Sequence, residues 1–375
     1  MSIEKEKMFT YFDLTEFPQI DRKERKEEII EAQKRVNKIL KDSRNQAKQR
    51  VCYYCGKICD GFCNSHTVPA FCLKNIADKG KVYYANTIID LPVFKIDKGV
   101  NEAGTFHLIC RECDGKIFQD YEEPLNYENI PTIKMLAQID MKNNLKFISK
   151  RLMEKEMYDL MQDRMKINID YILQKQNVSN LDLKEYQKSF RFAKKCALKP
   201  FPGEYYIGFY AKLEYRVPIA FQGFIAMIAD MEGNIINNIY SNDPKYIVKN
   251  ISLCIFPFEK YSVIMLFVDK NNRRYSKFFR QLQGSESIEE KLEVINYILF
   301  SYCEDYFISP LIEKETLEKL KKLMGKTSTM LGYIPTTANE CLEAIKKIYD
   351  FSERNEVPNL LSSKYALEAL YTKNE

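Results

Sequence analysis

Cysteines and histidines are crowded into one short window of this chain. Seven of the 11 cysteines and both histidines lie between Cys52 and Cys113. The window is framed by two CxxC pairs, Cys52-Tyr-Tyr-Cys55 and Cys110-Arg-Glu-Cys113. A two-residue spacer lets both thiolates of a pair reach one ion, and four thiolates complete a tetrahedral structural zinc site. The pattern therefore predicts a Zn²⁺ ion bound by Cys52, Cys55, Cys110 and Cys113.

Disulfide bonds and redox chemistry are the alternatives to metal binding. The N-terminal residues show no basic segment followed by an apolar one, so no secretory signal is predicted. No run of about 18 apolar residues predicts a transmembrane helix. We therefore expect a cytoplasmic protein with reduced thiols and no membrane association. Neither CxxC pair lies in a βαβ unit, which disfavours a thioredoxin-like role. Cys59 and Cys63 are rival zinc ligands or candidates for a second site.

The rest of the chain divides into regions of different pattern. Residues 1–50 contain charged positions with apolar residues three and four apart, which predicts an amphipathic helical segment. Residues 51–130 hold the zinc window, and residues 131–375 are predicted to form an α+β domain of unassigned role. Its predicted parts are helices over 132–197, antiparallel strands over 204–269 and helices over 288–372. The expected fold class is α+β, with a zinc-stabilised N-terminal module followed by an antiparallel sheet flanked by helices.

A basic segment follows the predicted strands. Its cations are Lys270, Arg273, Arg274, Lys277 and Arg280, with aromatic residues between them. This composition suits contact with a phosphate backbone and stacking on bases. A solvated turn and helix start is the alternative interpretation. The formal net charge of +5 is too small to identify a nucleic-acid-binding protein by itself.

The order of motifs over residues 50–123 resembles that of the zinc-framed HNH endonucleases, whose ββα-metal site is built on a treble clef. The matching elements are Cys52/Cys55, His66-Thr-Val-Pro69, Leu108-Ile109-Cys110 and Cys113-Asp114. The resemblance covers roughly a fifth of the chain. Residues 131–375 resemble no family that we know.

The resemblance implies metal-dependent hydrolysis of phosphodiester bonds. DNA is the expected substrate, and bacterial defence or restriction is the implied setting. His66 would act as the general base toward water, and Asp114 would help to bind Mg²⁺ or Mn²⁺. His107 is a further catalytic candidate. Asp120 and Glu122 could share the cation or be ordinary solvated acids.

Ser65 departs from the family pattern. The residue before the base histidine usually binds the catalytic metal, and serine is a poor ligand for it. This departure favours a second hypothesis, a non-catalytic zinc module that binds nucleic acid or a protein partner. His66 would then be a zinc ligand or a packed structural histidine. A homo-oligomer is compatible with both hypotheses.

Overall fold

A computed structural model describes most of the chain, with several gaps. The described residues are 10–12, 34, 38–59, 61–86, 93–99, 104–165, 169–238, 245–303, 305–324, 330–332 and 349–374. Most of the amphipathic helix predicted within 1–50 lies outside these ranges, although residues 38–46 are helical.

Strands and helices follow one another in an α+β arrangement. The strands are β1 (Thr10–Phe12), β2 (Ser65–His66), β3 (Lys81–Asn86), β4 (Val93–Gly99), β5 (Thr105–Phe106), β6 (Tyr205–Leu213), β7 (Ile219–Ile225), β8 (Ile251–Pro257), β9 (Ser262–Asp269), β10 (Phe307–Ile308) and β11 (Met330–Gly332). The helices are α1 (Ala70–Ile76), α2 (Arg111–Ile117), α3 (Gln119–Glu122), α4 (Ile133–Met165), α5 (Ile169–Leu198), α6 (Ser276–Gln283), α7 (Ile288–Tyr302), α8 (Lys314–Met324) and α9 (Leu367–Asn374). Short 3₁₀ turns cover Pro124–Glu128, Phe351–Glu356 and Ser363–Tyr365.

A seven-stranded sheet with the order β4-β3-β10-β7-β8-β9-β6 forms the centre of the fold. Every neighbouring pair in it is antiparallel, which confirms the sheet type predicted from the closely spaced strands. β7, β8 and β9 are buried along nearly their whole length. Strands that are apolar on both sides need cover on both faces, and flanking helices supply it.

The sheet crosses the boundary that the sequence suggested between residues 130 and 131. β3 and β4 precede that boundary, whereas β10 and the remaining strands follow it. Tyr84 of β3 pairs with Phe307 of β10, and their rings stack with centroids 4.8 Å apart. One buried core contains residues from both sides. The hairpin within the zinc window therefore completes the sheet of the larger part.

Helix α4 carries an unusual set of buried polar side chains. The set includes Gln138, Asp140, Lys142, Asn143, Asn144 and Lys146, each at most 9% exposed. Burying such groups costs free energy unless each finds a partner, so the helix forms hydrogen bonds and ion pairs across the core. Lys146 Nζ, for example, lies 3.1 Å from Asp305 Oδ2. This polar stripe supplies one of the groups at the candidate site below.

Replacing Asp140 by asparagine should change how stability depends on pH. Burial raises the pKa of Asp140 to about 7, although Tyr205 donates a hydrogen bond of 2.8 Å to the carboxylate. An aspartate in an unfolded chain has a pKa of about 3.9. Between these values the folded chain binds more protons than the unfolded chain, so this group lowers stability as pH rises.

The Asp140→Asn variant should therefore gain free energy of unfolding relative to wild type as pH rises from about 4 to about 7. Asn144 Oδ1 has no hydrogen-bond partner among the described residues, so an amide flip there can satisfy the new donor. Denaturant unfolding at a series of pH values measures the difference. A difference that stays constant with pH would show that Asp140 does not titrate in this range.

Candidate metal centre

Four cysteine side chains converge beside the two-stranded sheet of β2 and β5. The sulfur atoms of Cys52, Cys55, Cys110 and Cys113 all lie within 4.8 Å of one another. Tetrahedral coordination at a Zn–S distance of about 2.3 Å requires sulfurs about 3.8 Å apart, so small side-chain adjustments suffice. These four thiols could hold a structural metal ion such as zinc. They are the four predicted from the two CxxC pairs.

The first pair lies on a tight turn that depends on glycine. The backbone N–H of Gly56 donates to the carbonyl of Cys52 over 2.9 Å, and that of Cys52 donates to Lys57 over 2.8 Å. Gly56 has a φ of 73°, in the left-handed region where a side chain would be strained. This conformation folds the chain back after Cys55 and directs both thiols of the pair to one side.

The second pair begins helix α2. Cys110 is the N-cap residue with extended backbone angles, and Cys113 lies in the first helical turn. The backbone N–H of Cys110 donates to Cys52 Sγ over 3.4 Å. The chain before this helix also meets the first turn, because Tyr53 N–H donates to the carbonyl of Leu108 over 2.9 Å. Two separate hydrogen bonds thus hold the two pairs together.

The crowded thiols differ in how readily they ionise. Burial raises the pKa of Cys52, but N–H groups of Cys55 and Cys110 lower it more, to about 7. For Cys113, burial and hydrogen bonding to the other thiols raise the pKa. The Cys52 thiolate therefore forms easily, whereas ionisation of Cys113 is opposed by the neighbouring thiols. A divalent cation removes this conflict because it stabilises all four thiolates together.

The rival ligands lie outside this group of four. Cys59 Sγ donates to the carbonyl of Lys57 over 3.3 Å. Cys63 Sγ donates to Asp114 Oδ2 over 3.3 Å. His66 lies on β2 and is also outside the four-cysteine group.

The two-stranded sheet of β2 and β5, next to the cysteines, places both histidines on one face. β2 and β5 pair in register, with Ser65 opposite Phe106 and His66 opposite Thr105. Ser65 and Phe106 are buried, so alternation directs His66 to the other, partly exposed face. His107 is exposed, and its Nε2 lies 2.5 Å from Asn64 Oδ1, one step further along the same register. His66 and His107 therefore share the outer face of the β2–β5 sheet.

Asp114 lies against the buried face of the β2–β5 sheet. Ser65 Oγ donates to its Oδ1 over 2.6 Å, and Cys63 donates to its Oδ2. Lys142 Nζ approaches the same Oδ1 at 3.6 Å. The structure thus joins Asp114 to Ser65, and it places the two histidines on the opposite side of the strand pair.

Lys142 was missed by the sequence reasoning. It projects from α4, and its side chain is 2% exposed. Its ammonium forms an ion pair with Glu122 as well as approaching Asp114, and it lies 4.3 Å from the ring centre of Phe118. Lys142 stands among other polar residues of α4, such as Asp140, Asn143 and Asn144, so no local pattern marked its ammonium as buried.

Mg²⁺ or Mn²⁺ does not fit the residues around Asp114. These ions need several oxygen ligands with free lone pairs. The Lys142 ammonium lies 3.6 Å from Asp114 Oδ1 and pairs with Glu122, so one positive charge already bridges the two carboxylates that such an ion would need. Asp120 is engaged elsewhere, with Lys134 Nζ at 2.9 Å and Gln138 Nε2 at 2.7 Å. A second cation would meet the repulsion of a buried ammonium.

Much of the basic segment at residues 270–280 is bound within the protein. Lys270 pairs with Glu204 at 2.8 Å and Lys277 with Glu232 at 2.7 Å. Arg274 donates to the Ile247 carbonyl over 2.8 Å and lies over the ring of Tyr246. Among the described residues, Arg273 and Arg280 are the two cations of the segment without an ion pair or side-chain hydrogen bond.

The aromatic residues of that segment face the core. The buried rings are Tyr275, Phe278 and Phe279, each at most 2% exposed. They pack on the sheet and cannot offer a ring face to a base. The predicted contact of this segment with nucleic acid therefore depends on its two free arginines.

No family model, curated protein or solved structure matches this chain. Within the described ranges, no helix combines the length and apolarity needed to cross a membrane.

Proposed function

We propose that residues 50–123 form a zinc-framed, HNH-like module that binds nucleic acid without hydrolysing it. The observation that carries this proposal is the state of Asp114. The carboxylate that the resemblance assigns to a catalytic cation is occupied by Ser65, Cys63 and the buried ammonium of Lys142. The zinc frame supports the module as a treble clef, with one cysteine pair on a turn and the other at the start of α2.

A basic rim around the four cysteines supports a nucleic-acid partner. We define the basic rim as Lys48, Arg50, Lys57 and Arg111, all of which are exposed. Among the described residues none of the four forms an ion pair, although Lys57, after Lys116, is close enough to lower the pKa of Glu112. Lys48 is close enough to help lower the pKa of His107, after the larger effect of burial. Unpaired cations grouped on one surface attract a phosphate backbone and release its counterions.

Removing the basic rim should weaken binding to a DNA or RNA duplex. The triple variant Arg50→Ala, Lys57→Ala, Arg111→Ala should bind about tenfold or more weakly, and the slope of log affinity against log salt should fall by about 2–3. Fluorescence anisotropy with a labelled duplex at several salt concentrations gives both values. The matched control is Arg273→Ala with Arg280→Ala, which should leave both nearly unchanged. Loss of binding in the control instead would place the interface on residues 270–280.

Hydrolysis by His66 is the second candidate function. It is favoured by the position of both imidazoles on the outer face of the β2–β5 sheet, where a substrate could reach them. Plasmid DNA and RNA incubated with Mg²⁺, Mn²⁺ or a chelator separate the two functions. Cleavage by wild type that the His66→Ala variant lacks would establish the second candidate and refute the first. Binding without cleavage under every condition supports the first.

A further inference from the structure

We infer that Lys142 is a fixed cation in the place of a divalent ion, and that removing its ammonium opens a metal site at Asp114 and Glu122. The inference deepens the proposed function, because it explains how an HNH-like module lacks a catalytic cation. It concerns the chemistry of one pocket and can be tested without nucleic acid.

The contacts of Lys142 are those of a bound cation. Its Nζ contacts Glu122 Oε1 and lies 3.6 Å from Asp114 Oδ1, so one positive charge bridges two carboxylates. The face of Phe118 lies 4.3 Å away and adds a cation–π contact. The lysine side chain is 2% exposed, whereas those of Asp114 and Glu122 are 18% and 33% exposed. The ammonium therefore lies deeper in the protein than the two carboxylates, which reach the surface.

The three charged groups come from separate elements, so their meeting is a property of the fold. Asp114 lies on α2, Glu122 on α3 and Lys142 on α4. Gln138, one turn before Lys142 on α4, accepts from the backbone N–H of Tyr121 over 3.0 Å and holds α3 against the helix. The carboxylates are thus held in place by contacts that do not involve the ammonium. Without Lys142 they would remain close together, with no cation between them.

A divalent cation of hard, oxygen-binding character is the ligand that such a pocket would take. The two carboxylates supply oxygen ligands, and water can complete the coordination shell. Mn²⁺ is the suitable probe because it favours oxygen ligands and competes poorly for four thiolates. In the wild-type chain the ammonium excludes it by charge and by volume.

The test compares zinc-loaded wild-type protein with the Lys142→Met variant in Mn²⁺. Methionine keeps the length of the side chain and removes the charge. Electron paramagnetic resonance should show about one additional Mn²⁺ bound per variant chain and none bound to wild type at this pocket. Mn²⁺ should also raise the unfolding temperature of the variant by several degrees and leave that of wild type unchanged.

Two further variants assign the outcome. Adding Asp114→Asn to Lys142→Met should abolish the Mn²⁺ signal and the thermal shift. Lys142→Gln, which restores hydrogen bonding, serves if the methionine variant does not fold in the absence of cation. Mn²⁺ bound by wild type and lost in Asp114→Asn would overturn the inference. So would a folded Lys142→Met chain without Mn²⁺ affinity, or failure of both Lys142 variants to fold when Mn²⁺ is present. None of these results depends on whether the protein binds or cuts nucleic acid.

Discussion

Replacing Cys113 by serine is expected to abolish tight zinc binding and to unfold the region around α2. The sulfur of Cys113 is one of four within 4.8 Å, and serine cannot supply a thiolate in its place. Structural zinc contributes about 10–16 kcal/mol of apparent binding free energy in small domains, and that free energy is available to folding. The variant should therefore show near-complete loss of metal and a lower unfolding temperature.

Cys59→Ser is the matched control for this experiment. Cys59 is close to the cluster, but its thiol donates to the backbone of Lys57 and lies outside the group of four. Elemental analysis after dialysis should find about one zinc per chain in wild type and in this control. Equal metal loss from both variants would mean that the ligand set is wrong. Wild-type protein that folds fully without metal would remove the structural role of zinc.

Replacing Asp305 by alanine should destabilise the whole fold by about 3–5 kcal/mol, because it leaves the buried ammonium of Lys146 without its partner. Lys146 Nζ lies 3.1 Å from Asp305 Oδ2, and Tyr84 donates to the other carboxylate oxygen over 3.3 Å. Since Tyr84 belongs to β3 and Lys146 to α4, the pair also fastens the sheet to the central helix. Denaturant unfolding measures the loss.

The pH dependence of this ion pair has a definite sign. Burial raises the pKa of Asp305, but Lys146 and Lys150 lower it more, and it ends below its usual value. The pair therefore contributes stability at pH values above about 4, where the unfolded carboxyl is also ionised. That contribution is lost as pH falls through the lowered pKa of the folded state.

The Asp305→Ala variant should accordingly lose its disadvantage in acid, with the gap to wild type closing as the pH falls below about 4. The double variant Asp305→Leu, Lys146→Met is the control, because it removes both charges and should recover much of the lost stability. A gap that persists unchanged in acid would assign the loss to packing and not to charge.

The cluster of four cysteines could be predicted from the sequence because its signal is local. Two residues between paired cysteines impose a geometry that does not depend on the rest of the fold, and Gly56 marks the tight turn after the first pair. The antiparallel sheet was likewise visible, because apolar runs such as Ile251–Pro257 and Ser262–Asp269 are separated by short turns.

The state of Asp114 was not visible, because it depends on residues far apart in sequence. Ser65 and Lys142 meet Asp114 from a strand and from the central helix. No spacing rule connects these three positions. Similarly, the sequence could not show that β3 pairs with β10, since that pairing joins Tyr84 to Phe307 across the intervening helices and strands.

The basic segment shows the same limit for a surface prediction. The helical spacing of Phe278, Phe279 and Leu282 marks an apolar face, and that face is the one the core buries. The pairing of Lys277 with Glu232 joins residues far apart in sequence, so only the tertiary structure shows that this cation is already engaged.

The sequence by itself determined the four cysteines that could hold a metal ion, the antiparallel α+β class and the two histidines available for any imidazole chemistry. Those properties follow from residue type and short-range spacing. Only the tertiary structure decided which charges meet. It placed His66 and His107 on the outer face of the β2–β5 sheet and brought the Lys142 ammonium into contact with Glu122 and close to Asp114. The physical reason is that a buried charge needs a partner of opposite charge. That partner comes from whichever distant element packs beside it, and local sequence does not specify this packing.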